Sequence, residues 1–211
     1  MKIGYAMSRR QRSGTIILCL LMAGVFIWLD RKSQPKPSDL EKYHAKTATV
    51  VNVVDGDTID IDISFDFPPI KSGADSNQTH TRVRLWGVDT PETKEPNIPV
   101  QYFGPEATDF TTKLALGKQV TVYLDTPNRT RDKYGRLLAY VKLPDNGFLN
   151  EVLVSEGFAY ADLRFHHSFY NKYQQLEASA RSLKKGLWEK VTREQLPEWL
   201  KREKPNLLQS K

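Results

Sequence analysis

Arg84, Asp89 and Glu92 put a guanidinium and two carboxylates within the nine residues 84–92. A guanidinium grips an oxyanion with paired donors, and carboxylates hold hard cations or take up protons. Arg82, Arg84 and Trp86 alternate with Val83, Leu85 and Gly87, which predicts a strand with two different faces. Pro91 has no N–H to donate and ends the ladder, so Asp89 and Glu92 are expected where the strand opens into a loop. Charges gathered at such a point favour a functional reading, because binding and catalytic groups concentrate on loops held by a rigid frame. Taken alone, the segment reads equally as an exposed strand end with ordinary surface charges.

Two more segments repeat the pattern. Val53 to Ile61 joins two β-branched runs through Asp55-Gly56, a strong hairpin or bulge signal, and sets Asp57 at the start of the second strand. Asp132-Lys133-Tyr134-Gly135-Arg136 is a glycine turn that delivers Arg136 to the start of another strand. Three carboxylates and two arginines are therefore expected at strand ends of one β-rich domain. Each motif is weak singly; their combination and order are specific.

In that order, Asp55-Gly56-Asp57-Thr58, Arg84 through Thr93, Tyr102 through Ala107 and Asp132 through Arg136 resemble the staphylococcal nuclease (thermonuclease) family, over roughly residues 45–189. The resemblance implies an α+β, mainly β fold: a five-stranded OB-type barrel with three helices. It also implies calcium-dependent cleavage of nucleic-acid phosphodiesters. Carried over by position, Asp57 and Asp89 would be calcium carboxylates, with the Thr90 main-chain carbonyl as a further ligand. Glu92 would be the general base, and Arg84 and Arg136 the phosphate clamps. The family's pair of base-bracketing tyrosines is absent; Leu163 and Phe165 stand in those places. Phe165 remains able to stack on a base, Arg164 to meet a phosphate, and Lys133 and Tyr134 to contact the nucleotide. For Tyr134, packing in the turn is an equal alternative, and for Lys133 and Arg129 a solvated loop is preferred. His166 and His167 are expected on a solvated loop, not as a metal site.

The implied roles make chemical sense. Attack on a phosphodiester adds charge to oxygens that are already negative, so fixed positive groups are needed where that charge develops. Two guanidiniums match phosphate oxygens as a lysine would not. A carboxylate-held hard cation polarises the same group, and with no Cys or His cluster in the domain zinc is disfavoured. Glu92 is then left to deprotonate the attacking water.

Charge alone argues little. The net charge of +6 is concentrated in the tails: residues 1–44 carry eight Lys/Arg against three acids and 190–211 carry six against three, while 45–189 carry 17 against 19. Global basicity is thus no evidence for a nucleic-acid partner, and local clusters such as Arg129, Arg131, Lys133 and Arg136 must provide it. After a short basic N-terminus (1–13), residues 14–29 are uncharged and lack a closing small-x-small cleavage site, which reads as a single-pass signal anchor. Residues 30–45, with two prolines, read as a linker, 46–189 as the nuclease-like domain and 190–211 as a charged tail whose Leu196, Trp199 and Leu200 either pack or stay mobile. Acidic dilution after the anchor favours the domain on the non-cytoplasmic side. The expected partners are DNA and/or RNA and the membrane; no protein partner is evident and the chain is expected to be a monomer. The competing class is a non-catalytic OB-type module that binds nucleic acid or protein. Degenerate members of the family lose carboxylates or arginines, and all five charged residues are present here.

Strands are expected at about 46–54, 58–65, 80–87, 118–125 and 136–143, with a polar insertion between Asp66 and Thr79. Helices are expected from Pro105 to Leu116, from Phe148 to Glu156, and from an N-cap at Ser168 to a stop at Gly186. Ala107, Phe110, Thr111 and Leu114 form the inner face of the first; Tyr173, Leu176, Ala180 and Leu183 form that of the last.

Overall fold

Val50, Ile59, Ile61, Val83, Leu85, Val122, Leu137 and Val141 point inward from five strands and are almost wholly buried. They are the interior of a barrel in a computed structural model that describes residues 38–63, 80–93, 99–126, 128–145 and 147–208. The elements, in chain order, are α1 (Asp39–Tyr43), β1 (Lys46–Asp55), β2 (Thr58–Asp62), β3 (Thr81–Leu85), β4 (Val88–Asp89), α2 (Gly104–Ala115), β5 (Gln119–Leu124), β6 (Leu137–Lys142), α3 (Leu149–Ser155), β7 (Tyr160–Ala161), α4 (Tyr170–Ser182), a 3₁₀ turn (Gly186–Glu189) and α5 (Glu198–Glu203). The barrel closes in the order β1-β2-β3-β6-β5, with β4 and β7 forming a separate two-stranded ladder. All barrel pairs are antiparallel except β3 with β6. The parallel pair brings the ends of β3 and the start of β6 to the same region of the barrel.

Burial on β3 alternates as its sequence predicts, with Val83 and Leu85 inside and Arg82 exposed. β6 is buried on both faces, because the side away from the barrel is covered by helices. Asn150 at the start of α3 ties this region together. Its amide donates to the carbonyls of Trp86 (3.0 Å) and Ala139 (3.2 Å), and its oxygen accepts the Val141 N–H (3.0 Å). α2 begins next to Pro105 and leaves through Gly117 at φ +73°, as expected from the sequence.

Some expectations are corrected. Ser168 does not cap α4, which starts at Tyr170 after Phe169; its backbone N–H and hydroxyl both donate to Asp125. α4 ends at Ser182, and Gly186 opens the 3₁₀ turn that follows. Leu183, expected in the core, is 64% exposed, while Glu177 on the same helix is completely buried. Glu177 survives there because it accepts the Ala161 N–H (2.9 Å) and pairs with Arg181 and Lys204 (both 3.2 Å). His167 is buried, not solvated. Besides the three expected helices, the described residues contain the short α1, within the stretch read as a linker, and α5, within the tail. The apolar run 14–29, residues 30–37 of the linker and the polar insertion between Asp66 and Thr79 lie outside the described residues. Among the described residues no helix is long and apolar enough to cross a membrane.

Candidate active site

The hairpin turn between β1 and β2 positions the first carboxylate. The Asp57 N–H donates to Asp55 Oδ1 (3.2 Å), and Thr111 of α2 donates its hydroxyl to the Gly56 carbonyl (2.6 Å). A Cβ on Gly56 would lie 2.7 Å from Thr90 Oγ1, so only glycine lets the turn settle on Thr90. Thr90 in turn donates its N–H to Asp57 Oδ2 (2.8 Å). Register does the rest: Thr58 of β2 lies opposite Arg84 of β3, so Arg84 faces the turn.

Arg84 reaches both carboxylates at once. Its Nη1 pairs with Asp57 Oδ2, and its Nη2 lies 2.6 Å from Asp89 Oδ1. A second guanidinium, Arg164, contacts the same Asp89 oxygen at 2.9 Å and pairs with Asp162 at 2.8 Å. Burial works to lower the Arg164 pKa, but the Asp162 hydrogen bonds and the Asp89 charge outweigh it and keep the group cationic. The other Asp89 oxygen, Oδ2, accepts the indole N–H of Trp199 (2.8 Å).

Arg136 comes to the same cleft from another turn. Asp132 organises its turn by accepting the N–H groups of Tyr134 and Arg136 (2.9 Å each) and the Arg136 Nε–H (2.6 Å). Tyr134 is 71% exposed, with the Arg136 and Lys133 cations 5.4 and 4.8 Å from its ring centre, so it is not packed into the turn. Arg129 lies over the Phe165 ring at 5.0 Å, and Phe165 stacks on Trp86 at 5.6 Å. Glu92 is held by its backbone: its N–H donates to Gln101 Oε1 (3.0 Å) and its carbonyl accepts the Gln101 N–H (2.9 Å).

These groups line one open cleft of about 810 Å³. Asp57, Arg84, Asp89, Glu92, Lys133, Tyr134, Arg136, Arg164 and Phe165 all border it, so sequence-predicted residues from four separate segments come together. Thr90 does not border the cleft; it is 3% exposed, and its tie to the site is the N–H bond to Asp57.

Calcium fits this donor set. Two carboxylates converge on a single cationic group, Arg84, so they are already close enough to share a positive charge. All donors are hard oxygens. Among the described residues no cluster of three or more His, Cys, Asp or Glu side chains forms a metal cage, so a cation here needs main-chain oxygen and water as well.

Sequence reasoning missed Asp55, Asp132, Asp162 and Trp199. Asp132 was legible as an Asx-type turn residue ahead of Gly135; nothing local marks Trp199, 110 residues from its partner. It also missed the buried network behind the cleft. Gly87, at φ +78°, has no room for a Cβ, which would fall 2.4 Å from the His167 ring. His167 Nδ1 faces the Tyr140 hydroxyl (3.0 Å) and lies 3.3 Å from the donating Phe169 N–H. Burial pushes the His167 pKa down to about 4, against the opposing charges of Asp125 and Asp162.

Comparison with known proteins agrees with this architecture. A family profile described as "Staphylococcal nuclease homologue" matches residues 82–190. The chain is 36% identical to the thermonuclease of Staphylococcus hyicus over 178 residues, 83% of this chain and 96% of that protein. It is 36% identical to the thermonuclease of Staphylococcus intermedius over 180 residues, 84% of this chain and 97% of that protein. An SPbeta prophage-derived endonuclease of Bacillus subtilis, YokF, is 33% identical over 144 residues, 67% of this chain and 44% of that protein. With most of its length aligned to such relatives and its charged residues gathered in one cleft, the chain belongs to the staphylococcal nuclease family.

Proposed function

We propose that this protein is a calcium-dependent nuclease that hydrolyses phosphodiester bonds of DNA and/or RNA while tethered to a membrane by residues 14–29. The observation that carries the reading is the convergence of Asp57 and Asp89 on one cation, in a cleft that Glu92 and Arg136 also border. Asp57 and Asp89, with the Thr90 carbonyl, would hold calcium. Bound there, it supplies Lewis-acid polarisation of the phosphoryl oxygen. Glu92 takes the proton from the attacking water as the new P–O bond forms. Arg84 exchanges its carboxylate partners for phosphate oxygen, and Arg136, which borders the same cleft, meets the same group. Both then neutralise charge that grows in the transition state and leaves with the departing oxygen. Phe165 stacks on Trp86 beside Arg129 and is 39% exposed, and a base can meet its exposed ring surface. A non-catalytic binding module would have use for the arginines but not for the carboxylates set beside them.

The membrane reading rests on the sixteen uncharged residues 14–29 and on calcium supply. Open sites of this kind bind at roughly 10⁻⁴–10⁻³ M, which suits the non-cytoplasmic side of a membrane. Protease added to intact cells or spheroplasts is expected to digest the domain; digestion only after permeabilisation overturns the orientation. For the activity, the full chain is incubated with single- and double-stranded DNA and RNA, with calcium or excess chelator. Cleavage with calcium and none with chelator is expected; undiminished cleavage in chelator contradicts the calcium reading.

A further inference from the structure

The segment after the 3₁₀ turn lies beyond the stretch that matches the family profile, which ends at residue 190. It is charged along most of its length, yet it folds back. Leu196, Trp199 and Leu200 are buried in a second apolar cluster with Tyr160, Leu187 and Trp188. Lys204 pairs with the buried Glu177 at 3.2 Å, and Arg193 donates to the Leu207 carbonyl at 3.0 Å. The segment is therefore held at three places, and α5 is aimed so that Trp199 reaches the cleft wall.

Trp199 is 6% exposed and spends its only polar atom on Asp89 Oδ2. Its ring also lies 4.7 Å from the Arg164 guanidinium, the group that contacts Asp89 Oδ1. Three groups thus hold one carboxylate, and they differ in kind. Arg84 and Arg164 are cations that compete with a metal for the same oxygens. The indole is neutral, can only donate, and has no reason to leave when a cation arrives. Hydrogen-bond donors of this sort fix the direction of a metal-binding carboxylate and strengthen its hold.

We propose that Trp199 is a positioning residue for calcium binding: its N–H locks the Asp89 carboxylate, making the C-terminal segment a working part of the site. The inference rests on the calcium reading above and adds to it a residue that the motif pattern does not contain.

Calcium binding to the full chain is measured by isothermal titration calorimetry, with thermal melting of each protein in parallel. Trp199→Phe keeps a ring in the cluster and over Arg164 but removes the N–H. Leu196→Val loosens the same cluster without touching Asp89. The expected result is about tenfold weaker calcium binding for Trp199→Phe, the lower end for lost outer-shell partners, and wild-type affinity for Leu196→Val. Unchanged affinity in Trp199→Phe overturns the proposal. So does an equal loss in Leu196→Val, which would assign the effect to packing. If the wild type itself binds no calcium, the metal reading has failed, and this inference falls with it.

Discussion

Asp89 and Asp125 are both buried carboxylates, and they are held in opposite ways. Asp125 accepts only neutral donors: Trp86 Nε1 (3.1 Å), Asn128 Nδ2 (2.7 Å), and the backbone N–H and hydroxyl of Ser168. Burial acts to raise its pKa, but those donors outweigh burial and hold it below the ordinary value. Asp89 shares two guanidiniums with Asp57 and Asp162 and has one neutral donor. Neutral donors are saturated and stay put, whereas cationic partners can be exchanged for a metal or surrendered to a phosphate. The contrast separates a carboxylate that organises the fold from one arranged to do chemistry.

The largest effects should come from the exchangeable side. Arg84→Ala or Arg136→Ala is expected to lower turnover by about 10³ or more, because in the proposed mechanism each guanidinium neutralises charge in the transition state. Glu92→Gln keeps the shape but removes the proposed base, and should lower turnover by about 10²–10⁴ with folding intact. Near-wild-type turnover in any of the three removes that residue from its role.

On the saturated side the ranking reverses. Asp125→Ala strands four donors in a mostly buried place and should cost on the order of 3 kcal/mol in urea unfolding. Its turnover per folded molecule should fall far less than that of Arg84→Ala. A variant of Asp125 that kills activity at unchanged stability would erase the distinction.

A smaller effect belongs to His167, which packs beside Asp125, Asp162 and His166. Its folded pKa of about 4 lies below the unfolded value near 6.5, so the unfolded chain binds the extra proton between those limits. Its contribution is fully present above about pH 6.5 and is lost as pH falls towards 4, by on the order of 2–3 kcal/mol. Protonation would also cost Nδ1 its acceptor role towards the Phe169 N–H. Urea unfolding at pH 7 and pH 5 should show this loss, and His167→Gln should flatten it. Smallest of all, Arg131→Ala removes the two-pronged pair with Asp39 (2.8 and 2.9 Å) that docks α1 on the Arg136 turn. About 1 kcal/mol of stability is expected from this half-exposed pair.

The same contrast explains what the sequence made legible. Asp57, Arg84, Asp89, Glu92 and Arg136 announced themselves because hairpin chemistry, strand alternation and Pro91 are local signals, and each sits where a strand ends. The barrel strands were readable for the same reason. Ser168 was misread as a cap because its competing acceptor, Asp125, is 43 residues away. His167 was misread and the buried Glu177 went unremarked, because burial of a polar group depends on partners such as Ala161, Lys204 and Tyr140 that no local pattern reveals. Trp199 was left undecided for the same reason: charges surround it in sequence, but its partner lies 110 residues away along the chain. Tertiary partners, not propensity, decided each of these.

The most direct test is a calcium titration of thermal stability in the wild type and in Asp57→Asn. A ligand that binds only the folded state adds about 1.4 kcal/mol at ten times its Kd, enough to raise the melting temperature of a domain this size by a few degrees. The wild type should show that rise at millimolar calcium, and Asp57→Asn, with one anionic ligand removed, should show little or none. An equal rise in both proteins would mean that calcium binds elsewhere, and that the paired carboxylates are not the exchangeable site described here.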